Sequence, residues 1–260
     1  MTGDDTLCGW GNEGKVAYFL ANSDIIVPRR QEQMNLLCEL LPYAREDRIH
    51  VLDLGAGFGA ISERILQHYP KSTLTCVDGS EAMVAHATKR LSRYENRVKI
   101  LKADLAEPSW LTVLEHFTPA KRINGGGFDA VVSAIAIHHL SHQRKRELYR
   151  EIIQLLRPGG IFLNNDVVTT PAALKARFEM LNLAAIQEQE RLQRGVTRGI
   201  EQIQAELREQ LRLAGGRHQS HIAGLSDQLA WLNEAGFQSV DCYWRYLDIA
   251  IFGGVRNQEQ

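Results

Sequence analysis

Between residues 48 and 166 one pattern recurs five times: a short apolar run, a polar or glycine-bearing turn, then apolar residues at helical spacing. The runs predict strands at about 49–54, 73–78, 98–103, 128–135 and 161–166, with helices at about 58–69, 81–92, 109–117 and 141–156. Pro70 stops the first of these helices, Ser80 caps the second, and Arg157-Pro158-Gly159-Gly160 closes the last. Pro119 and Asn124-Gly125-Gly126-Gly127 read as the loop before the fourth strand. Strands that alternate with helices form a parallel sheet covered on both faces.

The flanks follow other patterns. Residues 1–24 are rich in Gly and Asp with scattered aromatics (Trp10, Tyr18, Phe19), and they read as a mobile or ligand-ordered lead-in. After Pro28 a helix carries Met34, Leu37, Cys38 and Leu41 on one face as cover for the sheet. Beyond residue 168 the alternation breaks. A helix from Pro171 to Arg194 carries Leu174, Phe178, Leu181, Ala185 and Ile186 on one side. Gly195 and Gly199 then bracket a break, and a second helix runs to Leu213 before Gly215-Gly216. A helix over 226–235 and two strand-like runs, 237–246 and 247–255, close the chain as a hairpin that brings in an antiparallel strand.

The expected fold is therefore α/β: a Rossmann-like seven-stranded sheet, mostly parallel with its last strand antiparallel, helices on both faces, and a helical insertion after the fifth strand. It divides into a lead-in and cover helix (1–47), the core (48–168), the insertion (169–225) and a completing helix and hairpin (226–260). The insertion reads as a lid or as the arm of a homodimer.

Composition narrows this only by exclusion. A formal charge of −1 argues against nucleic acid as partner. No run reaches the roughly 20 apolar residues of a membrane span, and the acidic start, Asp4-Asp5, lacks a secretory pattern, so the expectation is a cytoplasmic protein off the membrane. Cys8, Cys38, Cys76 and Cys242 are scattered without ligand spacing, which predicts reduced thiols and no metal.

The chemistry concentrates at Val51-Leu52-Asp53-Leu54-Gly55-Ala56-Gly57-Phe58-Gly59-Ala60. Alternate glycines between a strand and a helix make a tight turn that lets a ligand approach the backbone. Asp78, at the end of the next strand, stands where such units place a ribose-binding carboxylate. Gly55-x-Gly57-x-x-Ala60 also fits a nicotinamide-dinucleotide fingerprint. Asp53 separates the two readings: a carboxylate two residues ahead of the glycines suits a cofactor ammonium, which S-adenosylmethionine (SAM) has and NAD lacks. Asp104, Ser133 and Asp166 stand at or just past other strand ends.

Five ordered blocks make the chain resemble the class I SAM-dependent methyltransferases. They are Val51 to Gly59, Val77-Asp78-Gly79-Ser80-x-x-Met83, Lys102-Ala103-Asp104, Phe128 to Ser133, and Leu155 to Gly160. Ser133 to Leu140 and Trp231-Leu232-x-x-Ala235-Gly236-Phe237 are similar to the small-molecule branch, including the subgroup of carboxy-SAM synthase. The resemblance implies that Gly55, Ala56 and Gly57 pass beside the methionine portion of SAM, with Asp53 toward its ammonium. It puts Asp78 on the ribose, Gly79 and Met83 near the adenine, Asp104 on the adenine amino group with Leu105 beside the ring, and Ser133 and Ala134 on the methyl-transfer side.

Methyl transfer is an in-line displacement and needs a base only when the acceptor must lose a proton. His138, His139 and Asp166 are the candidates, with Asn164 and Arg29 as candidate substrate contacts. The chain after the fourth strand reads Ser133-Ala134-Ile135-Ala136, without the Asp/Asn-Pro-Pro-aromatic turn of amino-group methyltransferases that act on adenine or glutamine. A small-molecule acceptor is the expected substrate. The alternatives are a SAM-modifying enzyme similar to carboxy-SAM synthase in tRNA wobble-uridine modification, or a non-catalytic SAM-binding module.

Overall fold

The computed structural model of the chain describes residues 10, 12–117, 127–213 and 221–258. Residues 1–9 and Gly11 of the lead-in, with Cys8 among them, the loop residues 118–126 and Gly215-Gly216 lie outside the described residues. Seven strands form one sheet: β1 (His50–Leu54), β2 (Thr73–Asp78), β3 (Val98–Lys102), β4 (Phe128–Ala134), β5 (Leu156–Val167), β6 (Gln238–Tyr246) and β7 (Ile249–Val255). Their order is β3-β2-β1-β4-β5-β7-β6. The first five are parallel, and β7 runs antiparallel to both β5 and β6. This is the architecture the apolar runs predict. Strand order reverses between β1 and β4, and a crevice opens beyond the carboxyl ends there.

Every residue of β1 is buried. Strand side chains alternate between faces, so Leu52 and Leu54 join the layer containing Leu148, Ile152, Phe162 and Trp231. Val51 faces the other layer, with Ile61, Ile65 and Leu66 of α3 (Ala60–His68) and Leu37 and Leu41 in and beyond α2 (Arg30–Glu39). Asp53 shares Val51's parity and looks into that second layer. α4 (Glu81–Leu91) follows β2, α5 (Trp110–Phe117) follows β3, and α6 (His142–Leu155) precedes β5.

Two expectations change. Residues 13–26 are a helix, α1 (Glu13–Ile26), whose N-cap Asn12 accepts from the Lys15 N–H at 3.0 Å. The buried positions of α1 are Val16, Ser23 and Ile25, so a serine stands where an apolar stripe needs a hydrophobe and the helical pattern is blurred. The Arg157-Pro158-Gly159-Gly160 stretch ends α6 but then runs as strand, because β5 absorbs it with a register shift against Phe128 and Ala130.

The insertion consists of α7 (Lys175–Arg194) and α8 (Ile200–Leu213). The buried face of α7 is Leu183, Ile186 and Glu190, rotated from the stripe the sequence suggests, and Leu174 is 45% exposed. Contacts outside the helix set that face. Leu183 and Ile186 pack on Ile203 and on Ile25 of α1. Arg198 binds the carboxylates of Glu190 and Glu206, and the Tyr18 hydroxyl donates to Glu206 at 2.8 Å. The insertion thus braces α1. α9 (Leu225–Glu234) packs Trp231 and Leu232 into the core ahead of the hairpin.

Candidate active site

The glycine turn folds back over the neighbouring strand: the N–H groups of Gly55 and Ala56 both donate to the Val77 carbonyl, at 2.8 and 3.0 Å. Gly55 and Gly57 sit at φ +66° and +55°, which disfavours any residue with a Cβ. At Gly55 a Cβ would also stand 2.3 Å from that of Ala136. At Gly57 a Cβ would meet nothing within 4 Å, because that Cα faces open space. The open space is a cavity of about 370 Å³.

Asp78 lies on its wall, with Oδ2 accepting from the Gly57 N–H and Oδ1 from the Ser80 N–H, each at 2.8 Å. Burial, helped by the nearby Asp104 carboxylate, raises the Asp78 pKa above its ordinary value against the pull of these two N–H groups. Ser80 caps α4 by accepting from the Met83 N–H, and its hydroxyl donates to the Trp10 carbonyl at 2.7 Å. Asp104 accepts from the Ala106 N–H at 2.9 Å. Gly55, Ala56, Gly57, Asp78, Gly79, Met83, Asp104, Leu105 and Ala134 all line this one cavity.

Other candidates lie elsewhere. Asp53 is fully buried beneath the turn and does not line the cavity; one oxygen accepts from the Ser62 hydroxyl of α3 at 2.5 Å. Direct contact with a ligand ammonium is therefore not its place. Burial pushes its pKa up to about 7, opposed by the Ser62 hydrogen bond. An unfolded Asp ionises near 3.9, so between about pH 4 and pH 7 the unfolded chain releases a proton that the folded chain keeps. Asp53 should therefore cost the fold stability as pH rises through that window. Asp53→Asn should flatten this decline in urea titrations from pH 4 to 8; an unchanged slope would contradict the burial argument.

Ser133 is also turned away, its hydroxyl donating to the Leu54 carbonyl at 2.8 Å and tying β4 to β1. Asp166 is fully buried off the cavity, accepting from the Val167 N–H, from the His138 backbone N–H at 2.8 Å, and pairing with His138 Nδ1 at 2.6 Å. Neither Asp166 nor His138 lines the cavity; together they pin the turn after β4. His139 does line it, with its ring centroid 4.0 Å from that of His138, and Nε2 accepts from the Trp10 indole N–H at 3.0 Å. The indole N–H can only donate, so Nε2 is the accepting atom of that pair.

The two substrate candidates are each displaced by one residue. Arg29 is half exposed, pairs with Glu32 at 3.4 Å and lies over the Tyr246 ring; Arg30 lines the cavity instead. Asn164 is buried within the sheet, and its neighbour Asn165, on the opposite face of β5, reaches the wall. Trp10, Phe19, Arg144 and His221 also line the cavity, and none of them is a site candidate from the sequence. The Arg144 guanidinium donates to the Leu105 carbonyl at 2.7 Å and grips both oxygens of Glu151, at 2.8 and 2.7 Å. It holds the Asp104-Leu105 wall in place, yet nothing in its sequence setting distinguishes it from a solvated helix arginine.

A cavity with open space at Gly57, a carboxylate at the end of β2 and a second at the end of β3 fits a nucleoside bearing an amino-acid tail. Asp78 would take ribose hydroxyls, Asp104 an exocyclic amine, Met83 and Leu105 the faces of a base, and the 55–57 backbone the tail.

A model of the methyltransferase-domain family matches residues 51–160. Demethylmenaquinone methyltransferase of Leptospira interrogans is 31% identical over 119 residues, which are 46% of this chain and 43% of that protein. Malonyl-[acyl-carrier protein] O-methyltransferase of Geobacter sulfurreducens is 28% identical over 142 residues, 55% of this chain and 47% of that one. The matched stretch thus spans about half the length of these curated relatives. An O-methyltransferase family protein from Burkholderia thailandensis superposes with a TM-score of 0.64 at 17% identity, over 96% of this chain and 62% of the other. Among the described residues no helix is long and apolar enough to cross a membrane. Over residues 51–160 the chain is thus similar to methyltransferase domains, and its fold is one that solved methyltransferase structures share.

Proposed function

We propose that the protein transfers the methyl group of SAM to a small-molecule acceptor, with His139 as the base that takes the acceptor's proton. The observation that carries this is the position of His139: of the two imidazoles that line the cavity, His139 and His221, it is the one at the turn after β4, beside Ala134 and Ala136. Bound SAM supplies an electrophilic methyl on a sulfonium. The protein's task is to hold the acceptor in line with it and to exclude water. Trp10 and Phe19, brought by α1 and its lead, pack edge to face with ring centroids 5.3 Å apart, and both line the cavity as its apolar cover. Nε2 of His139 is held by the Trp10 indole N–H, so an acceptor O–H or N–H would replace that donor on entry. By their names the curated relatives above methylate demethylmenaquinone and malonyl-[acyl-carrier protein], which supports a small-molecule acceptor group.

The test is incubation with methyl-tritiated SAM and a metabolite extract, comparing wild type with His139→Ala. General-base assistance contributes about 10²–10⁴-fold, so label transfer should fall by at least ~100-fold while SAM affinity by calorimetry stays within about twofold. Undiminished transfer in the variant would remove His139 from the chemistry, and failure of wild type to bind SAM would remove the function.

A further inference from the structure

Next to the main cavity lies a second, smaller one of about 200 Å³, enclosed by α1, α2, α3 and α4. The two share Arg30, Met34, Phe58 and Ala60, so Arg30 stands at the boundary between them. The smaller cavity is lined by three guanidinium groups, Arg30, Arg64 and Arg90, against two carboxylates, Asp24 and Glu63. The ring of Phe58 gathers two of the cations, with Arg30 5.4 Å and Arg90 4.9 Å from its centroid.

The counter-charge falls short. Arg30 pairs with Asp24 at 2.7 Å. Glu63 is divided between Arg90 at 3.6 Å and Arg93 at 2.7 Å. Arg64 bonds the neutral amide oxygens of Asn35 and Gln31. Burial, together with the positive charge of Arg90 and Arg64, depresses the Arg30 pKa despite Asp24. Guanidinium groups crowded on one recess hold a potential that an anion relieves, and their planar forks match carboxylate and phosphate oxygens.

We propose that this recess is an anion subsite that seats a carboxylate or phosphate carried by the methyl acceptor, while the acceptor's nucleophile lies in the main cavity. The proposal rests on the methyl-transfer reading above and adds the substrate class, an acidic small molecule. Arg30 would be the link, reaching the anion from the boundary. Arg64 and Arg90 would supply the surplus charge.

The first arm of the test is calorimetry with inorganic pyrophosphate on protein saturated with S-adenosylhomocysteine, which settles the cofactor's own carboxylate before the probe is added. Wild type should bind pyrophosphate, more weakly as KCl is raised. The Arg64→Gln/Arg90→Gln double variant should bind it at least tenfold more weakly with S-adenosylhomocysteine affinity unchanged. No binding by wild type, equal binding by the variant, or binding that S-adenosylhomocysteine abolishes would each overturn the subsite; the last would give the recess to the cofactor. The second arm splits the metabolite extract on an anion-exchange resin before the tritium assay. Label in the retained, acidic fraction supports the proposal, and label confined to the flow-through overturns it. A protein that binds SAM yet labels neither fraction refutes the methyl-transfer reading instead, and the pyrophosphate titration then decides the subsite alone.

Discussion

Replacing Asp78 with alanine should weaken SAM binding by about 1.5–3 kcal/mol, roughly 10- to 150-fold in Kd, because that is the range for hydrogen bonds to a charged group. The carboxylate stands at the end of β2 with each oxygen already accepting one backbone N–H, from Gly57 and from Ser80. Each oxygen keeps a further lone pair, enough for the two ribose hydroxyls. The substitution therefore acts twice: it removes the ribose acceptor and frees the turn residue that shapes the cavity. Ser80 also holds the Trp10 carbonyl, so the cover should loosen as well. A pH series sharpens the test. The ionised form is the acceptor, and burial raises the pKa of Asp78, so affinity should start to fall at a higher pH than for an ordinary aspartate as acid is added. Calorimetry that finds the Asp78→Ala variant binding as tightly as wild type would displace the cofactor from this wall.

The parts of the protein legible in the sequence are those governed by period and by turn chemistry. Apolar runs of six to eight residues separated by helical stretches admit few arrangements other than a parallel sheet, and the reversal of strand order places the crevice. The glycine turn and the carboxylate at the end of β2 belong to this legible set, because each lies where the backbone itself meets the cavity. What the sequence left open was parity. A residue at a strand end faces the ligand or the helix layer according to a single step of alternation and the turn that follows. Asp53 and Ser133 look into the protein, and Asn165 rather than Asn164 reaches the wall. Arg29 takes the left-handed conformation at φ +56° ahead of α2, which leaves Arg30 as the first helical residue, aimed at the cavity. Of the adjacent histidines, whose rings pack on each other, His139 lines the cavity while the Asp166 carboxylate beneath the turn holds His138 off it. Trp10 and Arg144 were out of reach for a different reason. Each reaches the wall through a distant partner, His139 for Trp10 and the Leu105 carbonyl for Arg144, and nothing local marks them.

Alanine at Gly55 and alanine at Gly57 should fail in opposite ways. Both positions are left-handed, and an L-residue there costs about 1–2 kcal/mol of folding stability. At Gly57 that is the whole cost to the fold, since the new methyl meets no protein atom within 4 Å and the N–H remains available to Asp78. The methyl instead takes space in the cavity, so Gly57→Ala should fold, lose about 1–2 kcal/mol in urea denaturation, and bind SAM at least tenfold more weakly. At Gly55 the added Cβ would stand 2.3 Å from the Cβ of Ala136, at the start of the turn that carries His138 and His139. Well-packed interiors answer such overlap by shifting backbone, at a further cost of about 1–3 kcal/mol. Gly55→Ala should therefore be the less stable variant by at least ~1 kcal/mol, with His139 displaced from the wall. Combining it with Ala136→Gly removes the overlap but not the strain at φ +66°, so the double variant should recover to about the stability of Gly57→Ala and no further. Equal stability of the two single variants would mean that the Gly55–Ala136 contact does not hold the turn after β4 against the glycine turn, and the placement of His139 beside the methyl donor would lose its structural support.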